Sequence, residues 1–454
     1  MTFRLSLDHT LVLRIFFSFS IYVLLVLIIL LGNYQVYPFA ISFFIIVTYF
    51  LLGSRLVLDP RSMVFAFFCL FLMLPMIVDH LFSLYGVPYQ LPWGRPWDWS
   101  QLSITTYIEF ISLYFILMFF FFFIDSQINL DQNFETSFNL NRSSVLFILI
   151  LTVLAMTVFV ISTGGFEAWI FSYKEAFLKG RGGAGGLNFI FIYLSNLLAF
   201  LLGLVFYKSS GLKVIILVSF SIFSLLFFSY FQGLKSRFII LLLIFFSPYL
   251  ISLSFSIWKF FVFGSFFIVL IYFFTYIRSD GFYSSPIIFL EYTMTYFNVV
   301  PLHDLVVKKE FFGLFSTLDH LLVKPAQIVG FEVGSDFDLS VMLTKEYYPR
   351  DWEEMRATQQ WPLLTDLRYN YYGLLLGWFF ILTYVFFMTF IYRKARQGDM
   401  AFLFIFMLEF VRIFSVLRGT LIPWQIFIYI PIYSASFIFL RKYITTSAGE
   451  QKFE

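Results

Sequence analysis

The chain has 454 residues, 60% of them hydrophobic and only 13% charged, with a mean hydropathy of +0.87. Water-soluble domains carry about 25% charged residues, so this composition excludes an ordinary soluble enzyme: too little polar surface exists to coat a core. A net charge of +3 argues against a nucleic-acid partner, the single cysteine excludes an intramolecular disulfide or a thiolate metal cluster, and the four histidines contain no HExxH pair.

Apolar runs of bilayer length, without the alternation of a barrel strand, predict an all-α polytopic membrane protein. In chain order the runs are 15–31, 36–52, 62–78, 104–124, 144–162, 188–207, 214–230, 238–255, 258–277, 369–392, 400–417 and 421–440, about twelve spans. The first follows Arg4 and Arg14 and shows no small-residue cleavage site, so it is expected to stay as a span. Three regions result: spans one to nine in 1–277, a large loop at 278–366, and spans ten to twelve with a tail in 367–454.

Short loops keep positive charge on the cytoplasmic side. With the N-terminus inside, the inner loops hold Arg55 and Arg61, Arg142, Lys208 and Lys213, Lys259, and then Arg393, Lys394 and Arg396. Arg441 and Lys442 fall in the tail, both termini are cytoplasmic, and 278–366 lies outside. Two short outer loops run against this rule. One spans 163–187 with Lys174, Lys179 and Arg181 after Gly164-Gly165-Phe166; the other is the turn Gln232-Gly233-Leu234-Lys235-Ser236-Arg237. Cations at disfavoured positions imply an anionic partner, either a ligand, a lipid headgroup or a neighbouring carboxylate.

Within the long outer segment, 286–306 and 311–323 carry apolar residues at helical spacing and are expected to be helices on or in the membrane surface. Between 332 and 362 the chain turns polar and aromatic, with Tyr347, Tyr348, Trp352 and Trp361, a mixture suited to sugar stacking and equally to an interfacial belt. In the eleventh run Glu409 and Arg412 are three residues apart, and pairing is expected because a lone charge there costs about 2.5–3.5 kcal/mol. Arg418 follows at the outer end with no carboxylate near it in sequence.

Cations near outer span ends suit a lipid diphosphate. Breaking a sugar–diphosphate bond builds negative charge on the leaving phosphate, which fixed guanidinium forks stabilise. The attacking hydroxyl needs a proton acceptor, for which His303, Asp304, His320, Glu332, Asp336 and Asp366 are available. His320, Asp336 and Asp366 are the catalytic candidates carried forward.

The chain resembles the Wzy-type polymerases of O-antigen and related bacterial polysaccharides. The resemblance lies in Gly164-Gly165-Phe166 with Tyr173, the turn Gly233 to Arg237, Lys324-Pro325 in the long loop, the stretch Asp366 to Gly373 leading into a span, and Leu417-Arg418-Gly419. It implies a GT-C-like, metal-independent, inverting glycosyltransferase without a cofactor, acting at the periplasmic face of a bacterial inner membrane. Its partners would be a donor and an acceptor glycan, each on undecaprenyl diphosphate, with a chain-length regulator protein expected as well. By the same resemblance Lys235, Arg237, Arg278 and Arg418 bind diphosphate, and Lys324 serves the second one. A ligase that moves finished glycan to a lipid A core, or a twelve-span transporter or flippase, would share the architecture.

Overall fold

The computed structural model describes residues 9–54, 56–89, 99–127, 138–140, 142–182, 185–209, 212–232, 235–254, 285–317, 339–355, 358–423 and 425–446, with isolated positions between 258 and 326. The fold is all-α. Its apolar runs become helices because a bilayer offers no water to backbone polar groups, which must bond within the segment. Eight described helices are long and apolar enough to cross a membrane: His9–Leu30, Tyr34–Leu52, Pro60–Tyr85, Ile104–Gln127, Ser143–Ser162, Gly186–Lys208, Leu374–Arg396 and Met400–Leu417. Side chains such as Phe16 (62% exposed) and Leu375 (75% exposed) lie on their outer faces, an arrangement suited to lipid contact. The seventh and eighth expected runs form the shorter apolar helices Ile215–Tyr230 and Arg237–Leu250. The twelfth forms a helix at Ile426–Tyr443, while the ninth falls largely outside the described residues.

Two compact units divide the chain. One comprises Met1–Asn129, Ser254–Thr389 and Arg412–Tyr429; the other comprises Leu130–Leu253, Phe390–Val411 and Ile430–Glu454.

In the first unit the helices His9–Leu30, Tyr37–Leu52 and Ile104–Gln127 pack together, and Tyr114 donates to the Ile45 carbonyl (2.8 Å) across one contact. The span Pro60–Tyr85 is interrupted by a π-helical turn at Cys69–Met73. Pro75 explains it: the ring lacks an N–H and crowds the carbonyl four residues back, so the helix widens by one residue. Asp59 begins this span and, with Asp125, receives Arg61 at 2.7 and 2.9 Å, so an arginine expected in an inner loop is locally neutralised.

The long segment folds around its own apolar cluster of Leu302, Val306, Leu339, Leu343, Trp361 and Tyr369. The helix expected at 286–306 is present but broken at Phe297 into Pro286–Tyr296 and Val299–Val307. The latter is buried along most of its length, against protein rather than lying on a membrane surface. The helix expected at 311–323 does not form over 311–317, where the chain bridges to Tyr371 at Leu314 and turns over the end of the helix Leu363–Asn370. Backbone pairing explains the difference: Gly313 N–H donates to the Arg368 carbonyl (2.8 Å), Phe315 N–H to that of Asn370 (3.0 Å), and Tyr372 N–H returns to Gly313 (3.0 Å). A Cβ at Gly313 would meet the Tyr369 carbonyl oxygen at 2.6 Å, so this close approach needs glycine.

In the second unit the helices Gly185–Lys208 and Lys235–Leu250 touch through Gly203, where a Cβ would meet the Phe245 carbonyl oxygen at 2.0 Å. Small residues at such crossings let helix backbones approach closely in lipid. The Gly164-Gly165-Phe166 stretch opens a short helix, Gly165–Phe171, whose Trp169 is fully buried and donates to Thr163 Oγ1 (2.8 Å). Tyr230 closes over it, its hydroxyl bonded to the Trp169 carbonyl (2.7 Å). A short antiparallel ribbon pairs Phe138–Leu140 with Ile444–Thr446.

Candidate functional site

A buried carboxylate organises the interior of the first unit. Glu109 projects from the helix Ile104–Gln127 and receives Arg368 at both oxygens, Nη2 to Oε1 at 2.5 Å and Nε to Oε2 at 3.0 Å. His303 Nε2 lies 2.7 Å from Glu109 Oε2, and His303 Nδ1 lies 3.0 Å from the Thr365 hydroxyl. With the ring neutral, Nε2–H donates to the carboxylate and Nδ1 accepts from Thr365. Arg368 is 3% exposed, His303 wholly enclosed and Glu109 16% exposed, so a mostly buried carboxylate serves both a cation and a neutral donor. A bidentate fork of this kind is among the strongest polar contacts available.

Burial is the largest influence on His303 and moves its pKa below the ordinary 6.5; the Glu109 carboxylate opposes this without reversing it. The folded chain therefore holds His303 neutral where an unfolded chain would bind a proton. Its contribution to stability is complete above about pH 6.5 and is lost as pH falls through the folded value. Melting in detergent between about pH 7.5 and 5.5 should accordingly show stability falling with acidity, and His303→Gln should flatten that slope. An identical slope in the variant removes His303 as its origin.

Asp304, the next residue, anchors the same loop helix. Its Oδ1 accepts from Ser103 N–H (2.8 Å), Ser103 Oγ (2.7 Å) and Thr106 Oγ1 (2.7 Å), and Lys308 Nζ is 2.6 Å from Oδ2. Burial alone would raise this carboxyl; the Lys308 ammonium and the Ser103 and Thr106 donors outweigh it and hold it below its ordinary value. Both candidates adjacent at 303 and 304 thus clamp the long segment onto the start of Ile104–Gln127.

Asp366 is fully buried on the helix Leu363–Asn370, seven residues before the left-handed Gly373. Asn370 Nδ2 donates to its Oδ1 (2.7 Å), and the Leu421 N–H donates to Oδ2 (2.9 Å). Asn370 in turn accepts from the Thr317 N–H (2.8 Å). A carboxylate expected to take a proton from substrate is here tying the segment after Arg418 to the helix that follows the long loop.

Arg418 lies just past the helix Met400–Leu417, its guanidinium 4.8 Å from the Phe71 ring centre and 5.3 Å from that of Tyr296. Phe71 belongs to the π-helical turn, so the irregularity imposed by Pro75 sits under this cation. Arg418 also bonds the Tyr296 side chain, but among the described residues its buried Nε has no hydrogen-bond acceptor and no carboxylate pairs with it. Beside it, a cavity of about 330 Å³ opens between the start of the helix Leu339–Tyr347 and the end of Met400–Leu417, with Arg412, Ser415, Thr420 and Tyr429 in its wall. Arg412 stacks on Tyr429 at 4.0 Å.

Arg237 belongs to the second unit. It is held by neutral groups, Nε on Gln232 Oε1 (3.1 Å) and Nη2 on Asn196 Oδ1 (2.9 Å), while Gln232 is fixed by Ser195 (2.9 Å). Among the described residues no carboxylate pairs with Arg237 either. Of the remaining expected site residues, His320, Asp336, Arg278 and Lys324 lie outside the described residues, and of Lys235 only the backbone, at the start of its helix, is described. Glu409 accepts a hydrogen bond from Tyr433, and the Arg412 guanidinium lies over the Tyr429 ring, contacts that add to the expected partnership of Glu409 with Arg412 without testing it.

Glu109, Arg368 and Arg412 did not stand out as site residues from sequence. A lone glutamate inside an apolar run was a usable signal, since intramembrane charges are either paired or functional. Compared with protein-family models, curated proteins and solved structures, the chain matches none.

Proposed function

We propose that this protein polymerises oligosaccharide repeat units carried on undecaprenyl diphosphate, at the periplasmic face of a bacterial inner membrane, through a bundle of twelve spans with both termini in the cytoplasm. The observation that carries this reading is Arg418: a cation flanked by two rings and hydrogen-bonded to the Tyr296 side chain, with a buried Nε that has no acceptor and no carboxylate partner among the described residues. Buried donors are ordinarily satisfied, and an anion arriving from outside satisfies this one. Arg237, held only by amides, supports the same reading at a second position.

In the reaction, an acceptor sugar hydroxyl attacks C1 of the sugar joined to the donor's diphosphate. The C1–O bond breaks with inversion, its electron pair leaves on the diphosphate, and the hydroxyl proton passes to a base. Arg418 and Arg237, with Arg278 and Lys235, carry the charge of the departing diphosphate, and Lys324 holds the second one. His320, Asp336 and Asp366 are the candidate bases. The partner glycans arrive on their lipids from the membrane, and a chain-length regulator would act alongside. Deleting the gene from its host should convert a ladder of surface glycan into single repeat units on an otherwise normal envelope; a ladder of normal length in the deletion strain rejects the reading.

A further inference from the structure

Arg237 is held by a chain of hydrogen bonds whose directions chemistry fixes. The Ser195 hydroxyl donates to the Phe191 carbonyl (2.7 Å), so its oxygen is left to accept from Gln232 Nε2 (2.9 Å). With its nitrogen turned to Ser195, Gln232 presents its carbonyl oxygen to Arg237 Nε (3.1 Å), and Asn196 Oδ1 takes Nη2 (2.9 Å). A guanidinium only donates, so both amides must face it through oxygen. Ser195 and Asn196 share the helix Gly185–Lys208, Gln232 lies in the turn after Leu212–Tyr230, and Arg237 belongs to the first turn of Lys235–Leu250. Three elements of the second unit therefore converge on one cation, and Ser195, Asn196 and Gln232 are all buried.

The clamp takes one edge of the fork and cancels none of its charge. Nε–H and one Nη2–H are engaged; both Nη1 hydrogens and the second Nη2 hydrogen, which make up the end of the fork, have no acceptor among the described residues. A carboxylate at 196 or 232 would fill nearly the same space and add the attraction of an ion pair. Amides instead orient the guanidinium and leave its whole charge to something else. Arg237 is only part-buried, so the open end of the fork is within reach of a ligand. Held in one plane, that end matches two oxygens of one phosphate group.

We infer that Asn196 and Gln232 are positioning residues for Arg237: they aim the open end of its fork at a diphosphate, and their lack of charge keeps the cation available to it. This rests on the reading of Arg237 as a diphosphate ligand and adds the two residues that make it one. Ser195 acts one step further back, by fixing which way the Gln232 amide points. Phosphate oxygens are shared by a diphosphate and by the headgroups of anionic lipids, and the measurement below separates the two.

Calorimetry of inorganic pyrophosphate binding to the full-length protein, in maltoside micelles free of lipid phosphate, tests this without requiring polymerisation. Binding should be saturable and weakened at least tenfold by Arg237→Ala. Asn196→Asp, which keeps the size and the hydrogen bond but neutralises the cation, should weaken it by the same factor while the protein melts no lower than the native one. In the Arg237→Ala background Asn196→Asp should have no further effect, an equality that a merely structural asparagine would not produce. Asn196→Leu, which keeps the charge and loses the aim, should weaken binding by a smaller factor. Absence of saturable binding, or affinity untouched by Arg237→Ala, overturns the inference with no variant of the clamp needed. Native affinity in Asn196→Asp overturns it too; should that variant fail to fold, native affinity in Asn196→Leu does so in its place. Phosphatidylglycerol added to the micelles should leave pyrophosphate binding unchanged, and displacement of pyrophosphate by this lipid overturns the diphosphate assignment in favour of a headgroup. If every binding result is as expected but no polymer forms in vitro, the fault lies with the polymerase reading and not with the clamp.

Discussion

Arg418→Ala should leave the protein inserted in the membrane at near-normal amounts while reducing chain elongation by about 10²–10³-fold, the usual consequence of removing one preorganised donor to developing charge. Its contacts among the described residues are two aromatic rings and a hydrogen bond with the Tyr296 side chain; alanine leaves the rings as a hydrophobic surface and loses one part-buried hydrogen bond, a small cost to folding. Arg418→Lys should recover only part of the loss, because an ammonium lacks the fork that holds two phosphate oxygens. Arg237→Ala should act in the same direction, although its release frees Gln232 and Asn196 and so carries a small structural cost. The glycan ladder on a gel, measured beside the amount of protein in the membrane fraction, separates the two effects. A full ladder in the Arg418→Ala strain would remove that residue from the site.

Glu109→Ala should be the most damaging single substitution for folding. It strands Arg368, 3% exposed, and takes from His303 its acceptor, and breaking a buried pair by removing one partner costs about 3–5 kcal/mol. Removing both charges should cost less: Glu109→Ala combined with Arg368→Met leaves no lone ion in the interior, so its melting temperature should lie above that of the single variant. A double variant as unstable as the single, or more so, shows that the pair is not what holds the long segment to the helix Ile104–Gln127.

The spans were readable because their signal is local. A run of apolar residues long enough to cross a bilayer needs no knowledge of its neighbours, and eight of the expected runs recur as helices of spanning length. The outer segment was less readable for two reasons. At 311–317 the apolar spacing looked helical, but pairing with 368–372 satisfied the backbone instead, and that partner lies more than fifty residues away. Ionic contacts are hidden by the same kind of distance: Glu109 is 194 residues from His303 and 259 from Arg368, and neither spacing leaves a pattern in the chain. Arg418 stood out in the sequence for having no carboxylate nearby, and among the described residues no carboxylate pairs with it in three dimensions either. The contacts of Glu409 with Tyr433 and of Arg412 with Tyr429 are ones that no helical spacing announces.

Purified protein incubated with a synthetic undecaprenyl-diphosphate-linked repeat unit is the direct measurement of what this chain does. A ladder of products growing by whole repeat units, formed without added metal and lost with Arg418→Ala, is the expected result. Single units returned unchanged by protein that is folded, together with transport of those units across a vesicle membrane, would contradict it.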